Sequence, residues 1–164
     1  MTIIVVMGVA SSGKSTVAEG LAAKLGWPFR DADSFHPAAN IAKMSAGTPL
    51  VDADRWPWLD AIVAWMDAQA AAGENGVVTC SALKRIYRDR LRKSGAEIRF
   101  VHLNGTRDML AARIAARQHH FMPSSLLDSQ LATLELPTID ENAVTVSVDR
   151  TPEAIIAELA GIFG

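Results

Sequence analysis

The chain has 164 residues, 49% of them hydrophobic and 21% charged, with a net charge of −2. That length supports one compact domain with its own core and is short for two. The near-neutral balance excludes a global attraction to nucleic acid or to an anionic membrane surface, so any anion site is local.

The opening "MTIIVVMG" lacks the basic segment of a signal peptide, and no apolar run approaches the length of a membrane span. Cys80 is the single cysteine and has no disulfide partner within the chain. These features predict a soluble cytoplasmic protein.

In chain order, β-branched runs alternate with stretches of helical period, the pattern of a parallel sheet flanked by helices. Ile3 to Met7 reads as a strand, followed by a helix from Lys14 with Val17, Leu21 and Leu25 on one face, ended by Gly26 and Pro28. A short strand around Phe29 ends in Asp31 and Asp33. Pro37 to Ala46 and Trp56 to Ala72 read as helices joined by the polar turn "GTPLVDADR", with Asp54 as a cap for the second. "GENG" precedes a third strand, Val77 to Cys80. Then come a helix over Lys84 to Lys93, the strand "IRFVHL", an Arg-rich helix over Thr106 to Arg117, and a helix over Pro123 to Leu134. The strand "AVTVSV" and a helix over Pro152 to Phe163 close the chain.

Between the first strand and first helix stands "GVASSGKS", with the Gly-x-x-x-x-Gly-Lys-Ser spacing of a P-loop in the context that motif requires. Small residues let backbone N–H groups of the segment from Gly8 through Ser11, Ser12, Gly13 and Thr16 turn toward phosphates, aided by the helix N-terminus. Lys14 is placed to reach the β- and γ-phosphates and Ser15 to ligate magnesium. A Gly/Ser turn that merely caps a helix needs neither Gly13 nor Lys14. The loop therefore predicts ATP or GTP with Mg²⁺ and leaves open a switch, a motor or a kinase.

A switch or ATPase is expected to carry a metal-binding carboxylate at the end of an apolar strand, and a GTPase an Asn-Lys-x-Asp reader. Here the strand Val77 to Cys80 ends in Cys-Ser, and no Asn-Lys-x-Asp occurs. The carboxylates stand instead in "RDADSFHP". Residues two apart at a strand end point the same way, which predicts Asp31 near the metal and Asp33 as the base that takes an acceptor hydroxyl's proton. The alternative is a solvated turn in which Asp33 or Ser34 caps the next helix.

The blocks "MGVASSGKST", "DADSFHPAANIAKMSAGTPLVDADRWPWL", "CSALKRIYRDRLR", "RQHHFMPSSLLDSQLATLELP" and "VDRTPEAII", in this order over nearly the whole chain, resemble gluconokinases, the small P-loop gluconate kinases. The resemblance implies transfer of the ATP γ-phosphoryl group to the 6-hydroxyl of D-gluconate. It also implies a nucleoside monophosphate kinase-like α/β fold in three layers: a five-stranded parallel sheet with helices on both faces, plus a helical lid over roughly residues 113–130. The family is usually dimeric, so a homodimer is expected.

By resemblance, Asp33, Arg55, Lys84 and Arg88 are expected at the sugar acid, with His36, Lys43, His120 and Gln130 as further contacts. A carboxylate with a row of hydroxyls calls for such a mixture of cationic forks and acceptors. Arg113 and Arg117, four apart on one helical face, are expected as lid arginines, Arg117 catalytically at the transferring phosphoryl group and Arg113 nearer the adenine. Arg150, Thr151 and Pro152 follow the fifth strand, where this fold packs the adenine. Adjacent His119 and His120 point apart and lack companion ligands, which argues against a metal site. Trp56, Trp58, Trp65 and Cys80 read as packing. Ser11 stands where gluconokinases commonly have Gly, which implies strain if that position requires positive φ, and His119 stands where the family often has Gly.

Among other classes, a shikimate kinase would carry a Gly-rich segment where "CSALK" follows the third strand. A nucleotide or adenylylsulfate kinase lacks support from "HPAANIAKM". A non-catalytic ATP sensor would have no need of Lys14, Asp33, Lys84 and Arg117 together.

Overall fold

The computed structural model describes residues 1–116 and 124–164. Five strands, β1 (Thr2–Met7), β2 (Phe29–Arg30), β3 (Gly76–Thr79), β4 (Glu97–Asn104) and β5 (Val144–Ser147), form one parallel sheet in the order β2-β3-β1-β4-β5. The helices are α1 (Lys14–Leu25), α2 (Ala38–Ser45), α3 (Asp52–Ala71), α4 (Arg85–Leu91), α5 (Arg107–Ala116), α6 (Ser124–Thr133) and α7 (Pro152–Phe163). Short 3₁₀ turns occupy Ala32–Phe35 and Ile139–Glu141.

Strand β1 explains the layering. Its side chains alternate across the sheet, and both faces are covered, so the whole run is apolar. Ile4 and Val6 enter a core with Val17 and Leu21 of α1 and Ile155 and Leu159 of α7. Ile3, Val5 and Met7 enter a second core with Leu59, Ile62 and Met66 of α3 and Leu91 of α4. Val5 lies in register with Val78 of β3 on one side and Phe100 of β4 on the other. The order of connections reverses at β1, and the crevice beyond the carboxyl end of such a strand is where open α/β sheets bind ligands. The P-loop leaves β1 at that point.

Helix α3 begins at Asp52, four residues earlier than Trp56, the start expected from the sequence. The Asp54 carboxylate, in the third helical position, accepts the Val51 N–H at 2.9 Å, and Asp52 and Asp54 favour the positive helix N-terminus. Asp54 thus steadies the first turn from inside the helix, and the segment read as a loop becomes helix. Pro57 is accommodated inside α3.

Candidate active site

The P-loop wraps from β1 into α1 around two unusual residues. Gly13, the residue before α1, has φ +91°, and Ser11 has φ +65°. Glycine takes such angles freely, whereas a residue with a β-carbon pays about 1–2 kcal/mol. Ser11 therefore occupies a conformation that suits the Gly expected there. The Val9 carbonyl accepts the Ser12 N–H at 3.3 Å and the Lys14 Nζ at 3.0 Å, and the Ala10 N–H donates to Gln130 Oε1 at 2.7 Å.

The loop opens on a cleft of about 400 Å³. Lys14, Ser15 and Thr16 line it from the P-loop, Asp31, Asp33 and His36 from the segment after β2, Arg55 and Trp58 from α3, and Gln130 from α6.

The two aspartates differ in what they already hold. Asp31 precedes the 3₁₀ turn and caps it by accepting the Asp33 N–H at 2.9 Å, and it accepts the Ser15 hydroxyl at 2.9 Å. Asp33 sits within the turn rather than at a strand end, and among the described residues its carboxylate has no ion pair or hydrogen bond. The turn is fixed from below, since the Ala32 N–H donates to Thr79 Oγ1 at 3.1 Å and the Trp58 indole donates to the Ala32 carbonyl at 2.8 Å. Trp58 is therefore both core and support for the site.

His36 stacks on Trp58 with ring centres 4.5 Å apart, and its Nδ1 lies 3.2 Å from the Asn40 amide nitrogen. Burial lowers the His36 pKa below its ordinary value, the Asp33 carboxylate opposes this, and Arg55 adds to it, a balance that favours the neutral imidazole.

The basic residues expected at the sugar acid are divided by the fold. Arg55 lines the cleft and lies over the Tyr87 ring at 5.4 Å, with no carboxylate in ion-pair contact among the described residues. Lys43 is instead held by Asp54 at 2.8 Å, tying α2 to α3. Lys84 pairs with Asp52 at 3.1 Å, beside the Tyr87 hydroxyl, which donates to the same carboxylate.

Arg88 departs furthest from expectation. It is 1% exposed and its guanidinium forms a fork on Glu141, at 3.0 and 3.2 Å, while donating to the Ala82 carbonyl at 2.8 Å. It does not line the cleft and instead braces the β3–α4 loop, where buried Ala82 has φ +46°. Burial raises the Glu141 pKa, but hydrogen bonds from Arg88 and the Thr138 N–H outweigh it and hold the carboxyl below its usual range.

On the side expected for the adenine, Arg113 donates to the Val148 carbonyl at 2.6 Å and to the Ser12 carbonyl at 3.4 Å, joining α5 to β5 and the P-loop. Arg150 pairs with Glu158 of α7, and Pro152 opens that helix behind the Thr151 cap. Arg117, His119 and His120 lie outside the described residues.

Two members of the site left no local signal: Thr79 and Tyr87 are an ordinary strand and an ordinary helix residue in sequence, and their partners Ala32 and Asp52 lie 47 and 35 residues away.

Cys80 lines the cleft wall but is 1% exposed, and burial pushes its thiol up to about 12. The native protein is accordingly expected to resist alkylation at about pH 8 and to be labelled once unfolded, as read by intact mass. Rapid native labelling would contradict that burial.

A protein-supplied metal cage is absent: among the described residues no group of three or more His, Cys, Asp or Glu side chains is placed to hold an ion. Ser15 and Asp31 form a hard oxygen pair at the phosphate end of the cleft. That fits a magnesium ion, which keeps waters and takes much of its coordination from phosphate.

A family profile described as AAA domain matches residues 3–137. A gluconokinase of Gluconobacter oxydans (strain 621H) is 52% identical over 156 residues, covering 95% of this chain and 88% of that one. The crystal structure of a gluconokinase from Sinorhizobium meliloti 1021 superposes with a TM-score of 0.84 at 48% identity, covering 99% of this chain and 95% of that one. That of a sugar kinase from Janibacter sp. HTCC2649 gives 0.91 at 47%, covering 98% and 93%. Identity sustained over nearly the full length of both partners, on the same five-stranded P-loop fold, establishes that the chain belongs to the gluconokinase family.

Proposed function

We propose that the protein transfers the γ-phosphoryl group of ATP to the 6-hydroxyl of D-gluconate, yielding 6-phospho-D-gluconate, ADP and a proton. The observation that carries this reading is one cleft lined both by the P-loop, with Lys14 and Ser15 for phosphate and its metal, and by Asp33 and Arg55, a proton acceptor and a guanidinium.

Lys14 and the loop amides hold the transferring phosphate's charge, where preorganised donors are worth most because they need no rearrangement during the reaction. Asp33, with open lone pairs, takes the hydroxyl proton as the acceptor oxygen bonds to phosphorus and the bond to ADP breaks. Arg55, over the Tyr87 ring, offers a planar fork to the substrate carboxylate. His36, neutral, supplies a hydrogen-bonding ring to the hydroxyl row. Ser15 and Asp31 are the residues that would hold Mg²⁺, which when bound neutralises phosphate charge. Arg117 and His120 are assigned to the lid over roughly residues 113–130 by resemblance, Arg117 as a second cation on the phosphoryl group.

Lys43 and Lys84 act at one remove in this reading, by fixing Asp54 and Asp52 at the start of the helix that carries Arg55. Arg150 and Pro152 shape the adenine end through the β5–α7 turn. No helix among the described residues is long and apolar enough to cross a membrane. A cytoplasmic homodimer with no nucleic-acid or membrane partner completes the reading, and light scattering tests the dimer.

Coupled ADP release with magnesium-ATP is the test, across gluconate, other aldonates, shikimate and nucleoside monophosphates. Turnover with gluconate is the expected outcome, and turnover with none of the panel despite ATP binding would leave a sensor. Arg55→Ala is expected to raise the gluconate KM by roughly 10–100-fold, the worth of a charge-assisted hydrogen bond, with the ATP KM little changed. An equal rise in both would place Arg55 outside the acceptor site.

A further inference from the structure

We propose that Gln130 is a positioning residue for the phosphate loop, and that it holds Ser11 in its left-handed conformation through the Ala10 N–H. The proposal rests on the nucleotide-binding reading above and deepens it.

The Val9–Ala10 peptide group is pinned at both ends. Its carbonyl accepts from Ser12 and Lys14, both inside the loop. Its N–H donates at 2.7 Å to Gln130, a residue 120 positions away on a different helix. The next residue is Ser11 at φ +65°. Fixing the orientation of that peptide fixes the entry to the turn, so the Gln130 carboxamide opposes relaxation of a strained side-chain-bearing residue. A Gly at this position reaches the same angle without support.

Gln130 is itself well placed to bear this load. On α6, Leu127 is fully buried in the sheet core. Just past the helix, the Glu135 N–H donates to the Leu83 carbonyl at 2.7 Å and the Glu135 carboxylate accepts the Arg85 N–H at 2.9 Å. In the middle of α6, Asp128 takes a guanidinium fork from Arg107 of α5 at 2.6 and 3.3 Å. The carboxamide therefore projects from a helix anchored on two neighbouring elements. Gln130 also lines the cleft, so direct contact with the sugar acid is the rival role to be excluded.

A double-mutant cycle separates them. ADP affinity is titrated calorimetrically without gluconate in the unaltered protein, Gln130→Met, Ser11→Gly and the double variant, and the gluconate KM is measured separately. Gln130→Met is expected to weaken ADP binding about 5–10-fold on the Ser11 loop and about twofold or less on the Ser11→Gly loop. In nucleotide-free protein, amide exchange over residues 8–13 is expected to quicken in Gln130→Met and to slow again in the double variant. The same loss in both backgrounds, no loss in either, or a raised gluconate KM with ADP affinity intact would overturn the proposal alone. Failure of the unaltered protein to bind ADP would overturn the nucleotide reading as well, so the two failures are distinct.

Discussion

Asp33→Asn is expected to lower kcat for gluconate phosphorylation by about 10²–10⁴-fold while ADP still binds, the range for loss of a positioned general base. The carboxylate is singled out by what surrounds it. Asp31, two residues earlier, already holds the Ser15 hydroxyl and caps the 3₁₀ turn, which ties its carboxylate to the phosphate loop and the metal position. Asp33 lines the cleft with its carboxylate uncommitted among the described residues, and its backbone N–H makes the turn's bond to Asp31 whichever side chain it carries. The amide therefore keeps the turn and shape but removes the acceptor. Single-turnover rates with ADP titration on the same samples check this. A variant that keeps about a tenth or more of kcat would remove Asp33 from the proton-transfer role. Loss of ADP binding with it would make Asp33 a support of the phosphate loop.

The second large effect falls on stability. Glu141→Ala is expected to cost about 3–5 kcal/mol, because it leaves the Arg88 guanidinium, 1% exposed, without its counter-charge and, among the described residues, with only the Ala82 and Leu83 carbonyls as partners. For a chain of this size that corresponds to a fall in Tm of roughly 6–20 °C. Arginine stays charged inside the protein, so the cost is not relieved by titration. The pH dependence has a definite sign. The Glu141 pKa is lowered in the folded state, so its contribution is complete above the ordinary glutamate value and is lost as pH falls through the lower folded value. Melting curves from neutral to acid pH should therefore converge for the unaltered and Glu141→Ala proteins toward low pH. Loss below about 1 kcal/mol would mean that water takes the place of the carboxylate at the Arg88 guanidinium. The same melts also separate structural damage from substrate effects, since Arg88 braces the β3–α4 loop and stands away from the cleft.

The sequence alone determined what is local. An apolar run, a Gly-x-x-x-x-Gly-Lys-Ser loop and a helical stripe follow one another within the first 25 residues, so β1, the P-loop and α1 were legible with their order, as were all five strands, because strand and helix periods are written in consecutive side chains. The departure at Ser11 was legible too, and its cost became concrete only with the backbone angle. Helix α3 was placed four residues late because the reach of Asp54 back to the Val51 N–H is not part of any hydrophobic period. Only the tertiary structure decided which charged side chains line the cleft. Lys43, Arg55, Lys84 and Arg88 are alike as residues in a basic pattern. Three are claimed by Asp54, Asp52 and Glu141 at separations of 11, 32 and 53 residues, leaving Arg55 at the cleft. A charge is satisfied by whichever opposite charge the fold brings within a few ångströms, and that proximity is a property of the packed chain rather than of its spacing.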